Sequence, residues 1–408
     1  MPRGHTGRDR ELRTVAVVGA SVAGWRAAQE LREQGFDGRL LVIGAEAHRP
    51  YDRPPLSKEL LAGTVQPDEL ALGSEQEEAD LDADWRLGTP AVRLDPRRGT
   101  VVLADGSEVR ADGVVLATGS EPLGLPGADA PGCHQVRTLD GALALREAVR
   151  AGARVVVVGA GLIGTEVAST CRERGAEVTL VDAQHLPLAR TLGIELAPLF
   201  FAQHEDNGVR VRCGTPVTRV LAEDRVTGVE LADGRVVPAD VVVVETGTEP
   251  ATRWLRGSGL KLRDGVVTDA GCVTALPTVV AVGDLARYQP VHRSRTVRSP
   301  HWTTAVDQPP VAVRNLLAGR TVATCTGVPH FWSRQYGSTL QFAGYAGPKD
   351  RITVVDGSLA SRRFVATYHR GGRQVAVLAM NSPKQFATHR RRLTAALSRP
   401  TPAPAAAR

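Results

Sequence analysis

The sequence predicts an α/β protein with two Rossmann-like dinucleotide-binding domains and a smaller C-terminal α+β domain. Three observations predict it. A strand, a glycine-rich turn, a helix and a second strand follow one another near the start. The same succession returns about 140 positions later, and after Thr326 the texture changes to short alternating stretches. The first succession opens with the apolar run Thr14–Val18 and passes through Gly19-Ala-Ser-Val-Ala-Gly24 into a helical pattern over residues 25–34 and a strand at 40–43. This is the βαβ crossover that a parallel sheet requires. The second runs through Arg154–Val158, Gly159-Ala-Gly-Leu-Ile-Gly164, a helix over 165–174 and a strand at 177–181. Further strands are expected at 111–116, ending in Ala117-Thr118-Gly119, at Val241–Val244, and at 278–282, ending in Gly283-Asp284. Strands that end in such turns bring backbone to the carboxyl edge of a sheet, where open α/β folds bind ligands.

Alternation at 339–343, 363–368 and 375–379 predicts an antiparallel sheet, followed by a helix over 382–397. The expected domains are 1–120 with 248–325, then 121–247, then 326–398, with a disordered tail over 399–408 that is rich in proline and alanine.

Composition excludes several function classes. Hydrophobic residues at 42% and charged residues at 23% fit a globular body, neither disordered nor membrane-spanning. No stretch approaches the roughly 18 apolar residues of a membrane span, and residues 1–13 lack an apolar signal region, so a cytoplasmic protein without a membrane partner is expected. Cys133, Cys171, Cys213, Cys272 and Cys325 lie far apart in sequence without metal or C-x-x-C spacing, so redox chemistry would need an organic cofactor and no metal is expected. The net charge of +6 is dispersed, which favours an acidic protein partner over nucleic acid. Among the 50 basic residues only Lys58, Lys261, Lys349 and Lys384 are lysines.

The turns carry the first chemistry. Small residues let backbone approach a pyrophosphate, and the following helix N-terminus offers unpaired N–H groups. Gly159, Gly161 and Gly164 meet this pattern in full, and Asp182, closing the next strand with no basic residue after it, suits the ribose of NAD rather than NADP. In the first turn Ser21 stands where the middle glycine would be, and Glu46 is the ribose candidate.

The stretch Gly44-Ala-Glu-Ala-His-Arg-Pro-Tyr-Asp-Arg-Pro-Pro-Leu-Ser-Lys58 resembles the loop after the FAD unit in FAD-dependent NADH:ferredoxin reductases, the electron donors of cytochrome P450 and ring-hydroxylating dioxygenase chains. The resemblance continues through Ala117-Thr-Gly119, Val136-Arg-Thr-Leu139, the second glycine turn, Ala281-Val-Gly-Asp284, His301-Trp-Thr303 and Phe331-Trp-Ser333, and so spans residues from about 14 to 395. It implies a glutathione-reductase-like arrangement of the domains. It also implies that a hydride passes from NADH to FAD and electrons pass singly to a ferredoxin or rubredoxin. The implied protein is a monomer or weak dimer.

Motif chemistry and resemblance together give FAD contacts at Gly19, Ala23, Gly24, Glu46, Arg53, Lys58, Val92, Ala117, Thr118, Gly119, Arg137, Gly283, Asp284 and Trp302. They give NAD contacts at Gly159, Gly161, Ile163, Gly164, Asp182 and Gly247. The resemblance places Lys58 by the flavin, where a cation stabilises the reduced ring, and Trp302 and Trp332 at the ring's edge on the route to the acceptor. Asp284 would accept from the ribityl chain, with a helix N-cap as its structural alternative. Glu166 would orient the nicotinamide from the first helical turn, or simply favour that helix N-terminus.

Four departures stand out: Leu123 where the family has a basic residue, Pro300 for a glutamate, Arg334 for an aspartate, and Pro309-Pro310 inside what is usually one helix. Arg334 is on this basis a candidate ferredoxin contact. Two other functions compete with the reductase. A peroxide- or oxygen-reducing relative would carry a cysteine beside the flavin, but Ser57 follows Leu56 and no cysteine precedes Cys133. A flavin-binding interaction protein like the apoptosis-inducing flavoproteins would act through its surface.

Overall fold

In the computed structural model, which describes residues 12–291 and 295–397, each glycine-rich succession nucleates a five-stranded parallel sheet. The expected α/β class with a C-terminal antiparallel sheet is observed. The strands Thr14–Val18 and Arg154–Val158 are almost entirely β-branched or alanine, and both faces of each are buried, as central parallel strands demand. The chain divides into two compact units: the described residues within 1–52, 71–120 and 250–327, and those within 53–70, 121–249 and 328–408.

The first unit's sheet has the order Val279–Ala281, Gly113–Leu116, Thr14–Val18, Arg39–Ile43, Ala83–Arg86, with every neighbouring pair parallel. Helix Val22–Glu33 covers one face through Ala27, Ala28 and Leu31, which share a core with Ala312, Val313 and Leu316 of helix Pro309–Leu317. Trp25 stacks on Trp85 with ring centroids 6.0 Å apart. A three-stranded antiparallel sheet, Ala91–Asp95, Thr100–Leu103 and Glu108–Arg110, belongs to the same unit, with a register shift at Val92.

Pro309 and Pro310 do split a helical segment, into Trp302–Asp307 and Pro309–Leu317. The break is mild. Gln308 between them keeps right-handed helical angles, φ −79° and ψ −41°, and the prolines occupy the first turn of the second helix, where amide donors have no intrahelical partner.

The second unit's parallel sheet has the order Arg210–Cys213, Glu177–Asp182, Arg154–Val158, Val241–Val244, Cys133–His134. The C-terminal sheet is antiparallel, in the order His330–Gln335, Ser338–Gly344, Arg373–Met380, Arg363–Arg370, Arg351–Ser358. Helix Pro383–Leu397 packs Phe386 and Leu393 against Val365, Val377 and Ala379 of that sheet. The strand Arg351–Ser358 was not expected from its pattern, because it is an edge strand with most residues exposed and no apolar face to alternate. None of the described helices is long and apolar enough to cross a membrane. The expected tail at 399–408 lies outside the described residues.

Candidate functional site

In the first unit the glycine turn is closed by the Gly19 amide donating to the Ile43 carbonyl at 2.8 Å. Gly19 has φ +117°, and a Cβ there would lie 2.2 Å from the Ala117 carbonyl oxygen; one at Gly24 would lie 1.7 Å from the Gly19 oxygen. The fold thus brings Gly19, Gly24 and Ala117 together at the carboxyl edge of the sheet. Ser21 has φ −104° and ψ −166°, close to the φ −75° and ψ −174° of Gly161 in the second turn. The middle position therefore needs no glycine backbone, and serine adopts it without strain. Neither helix carries an acid in its own first turn.

Asp284 sits inside the one-turn 3-10 helix Gly283–Leu285, whose N-cap is Val282, so the N-cap alternative fails. Its carboxylate accepts from Ser120 Oγ at 3.0 Å. His301 belongs to the same neighbourhood: burial lowers its imidazole below the ordinary range, against the opposing pull of the Asp284 charge. Glu46 accepts from Tyr51 Oη at 2.5 Å. Thr118 Oγ1 donates to the Ala251 carbonyl at 3.1 Å, and the Ala251 amide donates to the Gly119 carbonyl at 3.0 Å. Val92 is half exposed at the bulge of its strand. Trp302 opens helix Trp302–Asp307 with 37% of its surface exposed, and its indole N–H donates to Asp52 at 2.7 Å, so it is no core residue.

In the second unit the Gly159 amide donates to the Val181 carbonyl at 2.7 Å. Cβ atoms at Gly159 and Gly164 would lie 2.1 Å from the Glu245 oxygen and 1.9 Å from the Gly159 oxygen, whereas one at Gly161 would meet open space. Asp182 closes strand Glu177–Asp182 and accepts the Ala160 amide on one oxygen and the Gln184 amide on the other, both at 2.7 Å. Each oxygen keeps a further lone pair for a ribose hydroxyl. Ile163 is exposed on the helix, and Gly247, φ +116°, accepts from the Leu123 amide at 2.9 Å. Glu245, to which no motif points, directly follows the strand Val241–Val244 beside this turn. Its carboxylate accepts the Val136 amide at 2.7 Å, and burial pushes its pKa up to about 7 against the backbone hydrogen bond and the Arg137 charge.

The second unit also holds Arg53, Lys58, Arg137 and Trp332. Arg53 donates to the Arg137 carbonyl. Glu166 is only 2% exposed and gathers donors from two other segments. Lys58 Nζ lies 2.7 Å from Oε2, Ser57 Oγ 2.5 Å from the same oxygen, and Ser333 Oγ 2.9 Å from Oε1. The helix begins at Leu162, with Gly161 as its N-cap, so Glu166 is the fifth helical residue and lies beyond the first turn. It is held by an ion pair, not by the helix end. Alternation on His330–Gln335 buries Phe331, Ser333 and Gln335 and leaves Trp332 partly exposed and Arg334 exposed on the other face. Arg334 pairs with Glu59. Gln335 donates to Thr165 at 2.8 Å and to Ser333 at 3.0 Å, bracing the same cluster. All five cysteines are free, yet the fold brings Cys272 and Cys325 to an Sγ separation of 3.5 Å in the first unit.

Residues 13–309 match the family model described as pyridine nucleotide-disulphide oxidoreductase. The chain belongs to that family. Residues 330–408 match a second model, described as reductase C-terminal. Rhodocoxin reductase of Rhodococcus erythropolis is 36% identical over 384 residues, covering 93% of this chain and 88% of the relative. The ferredoxin–NAD(+) reductase subunit of the benzene 1,2-dioxygenase system of Pseudomonas putida is 35% identical over 377 residues, covering 91% and 90%. Among solved structures, the covalent complex of putidaredoxin reductase with putidaredoxin contains a chain 32% identical, with a TM-score of 0.89 and coverage of 95% and 94%. The resemblance to ferredoxin reductases thus holds along nearly the whole chain. The residues present fit the family's dinucleotides, FAD at the first turn and NADH at the second: each has a backbone cradle that a Cβ would fill, and Asp182 retains acceptor capacity for a ribose.

The two outer and middle glycines make opposite predictions. Gly164→Ala should abolish stable folding of the second unit, because its Cβ meets fixed backbone. Gly161→Ala should leave the melting temperature nearly unchanged while the KM for NADH rises about tenfold or more. A large loss of stability in Gly161→Ala would show that the cradle is shaped differently.

Removing one partner of the buried pair should cost about 3–5 kcal/mol, so Lys58→Met should lower the denaturation midpoint, and Lys58→Met with Glu166→Gln should regain much of the loss. Equal stability of the single and double variants would contradict the pairing.

Glu245 binds its proton more tightly in the folded chain than in the unfolded one, so its contribution to stability is full below the unfolded pKa and is lost as pH rises through about 7. Glu245→Gln should therefore flatten the fall in melting temperature between about pH 4.5 and about pH 7, and change nothing of the slope above it. A fall as steep as the parent's would refer that pH dependence to other groups.

Proposed function

We propose that this chain is an NADH-dependent flavoprotein reductase that delivers electrons one at a time to a small acidic iron–sulfur ferredoxin, which in turn serves a cytochrome P450 or a ring-hydroxylating oxygenase. The observation that carries the reading is the join of two dinucleotide cradles and a C-terminal sheet in one chain that aligns end to end with named ferredoxin reductases. When bound, FAD supplies the conversion between a two-electron hydride donor and a one-electron acceptor.

The chain's own residues bind and orient. Gly19, Gly24 and the amides opening helix Val22–Glu33 receive one pyrophosphate, and Gly159, Gly161 and the start of helix Leu162–Glu173 receive the other. Asp182 takes a ribose hydroxyl and repels a 2′-phosphate, which selects NADH. Glu166 fixes the ammonium of Lys58 at 2.7 Å, so that this cation is presented in one position and does not sample its rotamers. Trp302 and Trp332 supply apolar surface that excludes water. The proposed setting is the cytoplasm, with the protein acting as a monomer or weak dimer on its partner.

The purified protein should be yellow with one FAD per chain, oxidise NADH in clear preference to NADPH, and reduce cytochrome c only when a ferredoxin is added. Ferredoxin-dependent turnover should fall as salt rises, because the opposed fields are screened over about 8–10 Å. A protein that takes up no FAD, or that reduces oxygen as fast as it reduces ferredoxin, would overturn the assignment.

A further inference from the structure

We propose that Gln308 is a further cofactor contact, its side-chain amide nitrogen donating a hydrogen bond to an acceptor atom on the flavin half of bound FAD. The inference rests on the reading above and adds a residue that neither the glycine turn nor the resemblance singles out.

Gln308 stands where the two proline-separated helices meet and is 2% exposed. Its backbone is fully used: its amide donates to the Thr304 carbonyl at 3.2 Å, and its carbonyl accepts from Val311 at 3.1 Å and Ala312 at 3.0 Å. Its side chain is half used. The Gly283 amide donates to Oε1 at 2.8 Å, while Nε2 is buried with no acceptor among the described residues. The orientation of the amide follows from chemistry. Gly283 N–H can only donate, so the oxygen must face it and the nitrogen must face away. A buried donor left without a partner costs about 1–3 kcal/mol, and native interiors rarely carry that cost without reason.

The place points to the missing acceptor. A Cβ at Gly283 would lie 3.1 Å from Ala23 Cβ and 3.7 Å from Ala305 Cβ, so the Gly283-Asp284 turn that Gln308 holds adjoins the start of helix Val22–Glu33. Asp284 is the residue assigned to the ribityl chain, whereas the adenosine acid Glu46 follows a different strand, Arg39–Ile43. The flavin half of the cofactor, with ribityl oxygens and ring carbonyls, is rich in acceptors. Gln308 then has two tasks: its oxygen holds the Gly-Asp turn and its nitrogen holds the ligand that the turn receives.

Two substitutions separate these tasks. Gln308→Glu keeps an acceptor for Gly283 and, at alkaline pH, has no proton to donate to the ligand; Gln308→Met removes both functions. FAD release from the purified holoprotein on serial dilution, read by flavin fluorescence, gives the dissociation constant, and the melting temperature in saturating FAD reports structure. We expect the dissociation constant to rise about three- to tenfold in Gln308→Met and more than about tenfold in Gln308→Glu. Dissociation constants within about twofold of the parent, with only the melting temperature lowered, would reduce Gln308 to an anchor for Gly283 and overturn the proposal. Should Gln308→Glu not fold, Gln308→Met decides alone by the same measure. A parent protein that holds no FAD would instead remove the functional reading itself.

Discussion

The buried ion pair of Lys58 with Glu166 is the constraint around which the second unit is arranged. A carboxylate that is 2% exposed must be met by donors, and here they come from chain positions far apart: Ser57 and Lys58 on one side, Ser333 on the other. Each donor fixes the segment that carries it. Residues 53–70 are held to helix Leu162–Glu173 by the lysine and also by Thr170 Oγ1, which donates to the Ser57 carbonyl at 2.8 Å. Strand His330–Gln335 is held to the same helix by Ser333 and by the Gln335 bond to Thr165. The desolvation of one carboxylate thus sets the register of three segments, which a purely apolar contact, being non-directional, would not do.

A second constraint, steric this time, shapes both cradles. Gly19 and Gly159 have positive φ and backbone within 2.2 and 2.1 Å of where a Cβ would stand, while Gly24 and Gly164 press on the carbonyls of those same residues. The turn is therefore folded tightly onto its own backbone. In the second turn the middle position alone is open, and Ser21 holds the corresponding place in the first turn with nearly the same backbone.

Much of this was legible in the sequence because it is local. The glycine spacing, the valine-rich strands and the acid at Asp182 each announce themselves within a few residues, and the strands at Thr14–Val18, Arg154–Val158 and Val241–Val244 have the expected bounds. Glu166 was found by its place in the motif, but it lies beyond the first helical turn, and its pairing with Lys58, over a hundred positions away, left no local mark. Gln335, Glu245 and Gln308 carry no local signal at all, and Ser333 enters only within the matched Phe331-Trp-Ser333 segment: each is a common polar residue whose meaning comes from a contact across the fold. The approach of Cys272 to Cys325 is of the same kind, made by the tertiary fold from two unremarkable thiols. Local pattern identifies the cradle, and only the fold identifies what braces it.

The same distinction resolves the departure at Arg334. Read alone, an arginine in place of the family's aspartate looks like a new cation presented to a partner. In the structure it pairs with Glu59, the residue next to Lys58, just as Ser333, the residue before it, meets the carboxylate of Glu166. The two neighbouring positions on strand His330–Gln335 thus reach the same short stretch of chain, one through the buried cluster and one at its rim. An aspartate at 334 would set two carboxylates against each other across that rim, so the arginine answers Glu59 before it answers any partner. With Arg334 about half exposed, the pair adds at most about 1 kcal/mol to stability. Its larger effect is on charge: a guanidinium engaged with Glu59 contributes little net field, and Arg334 can meet an acidic ferredoxin only by exchanging one carboxylate for another. Electrostatic attraction of such a partner must therefore come mainly from the rest of the +6 excess, spread over the surface, and not from this single departure.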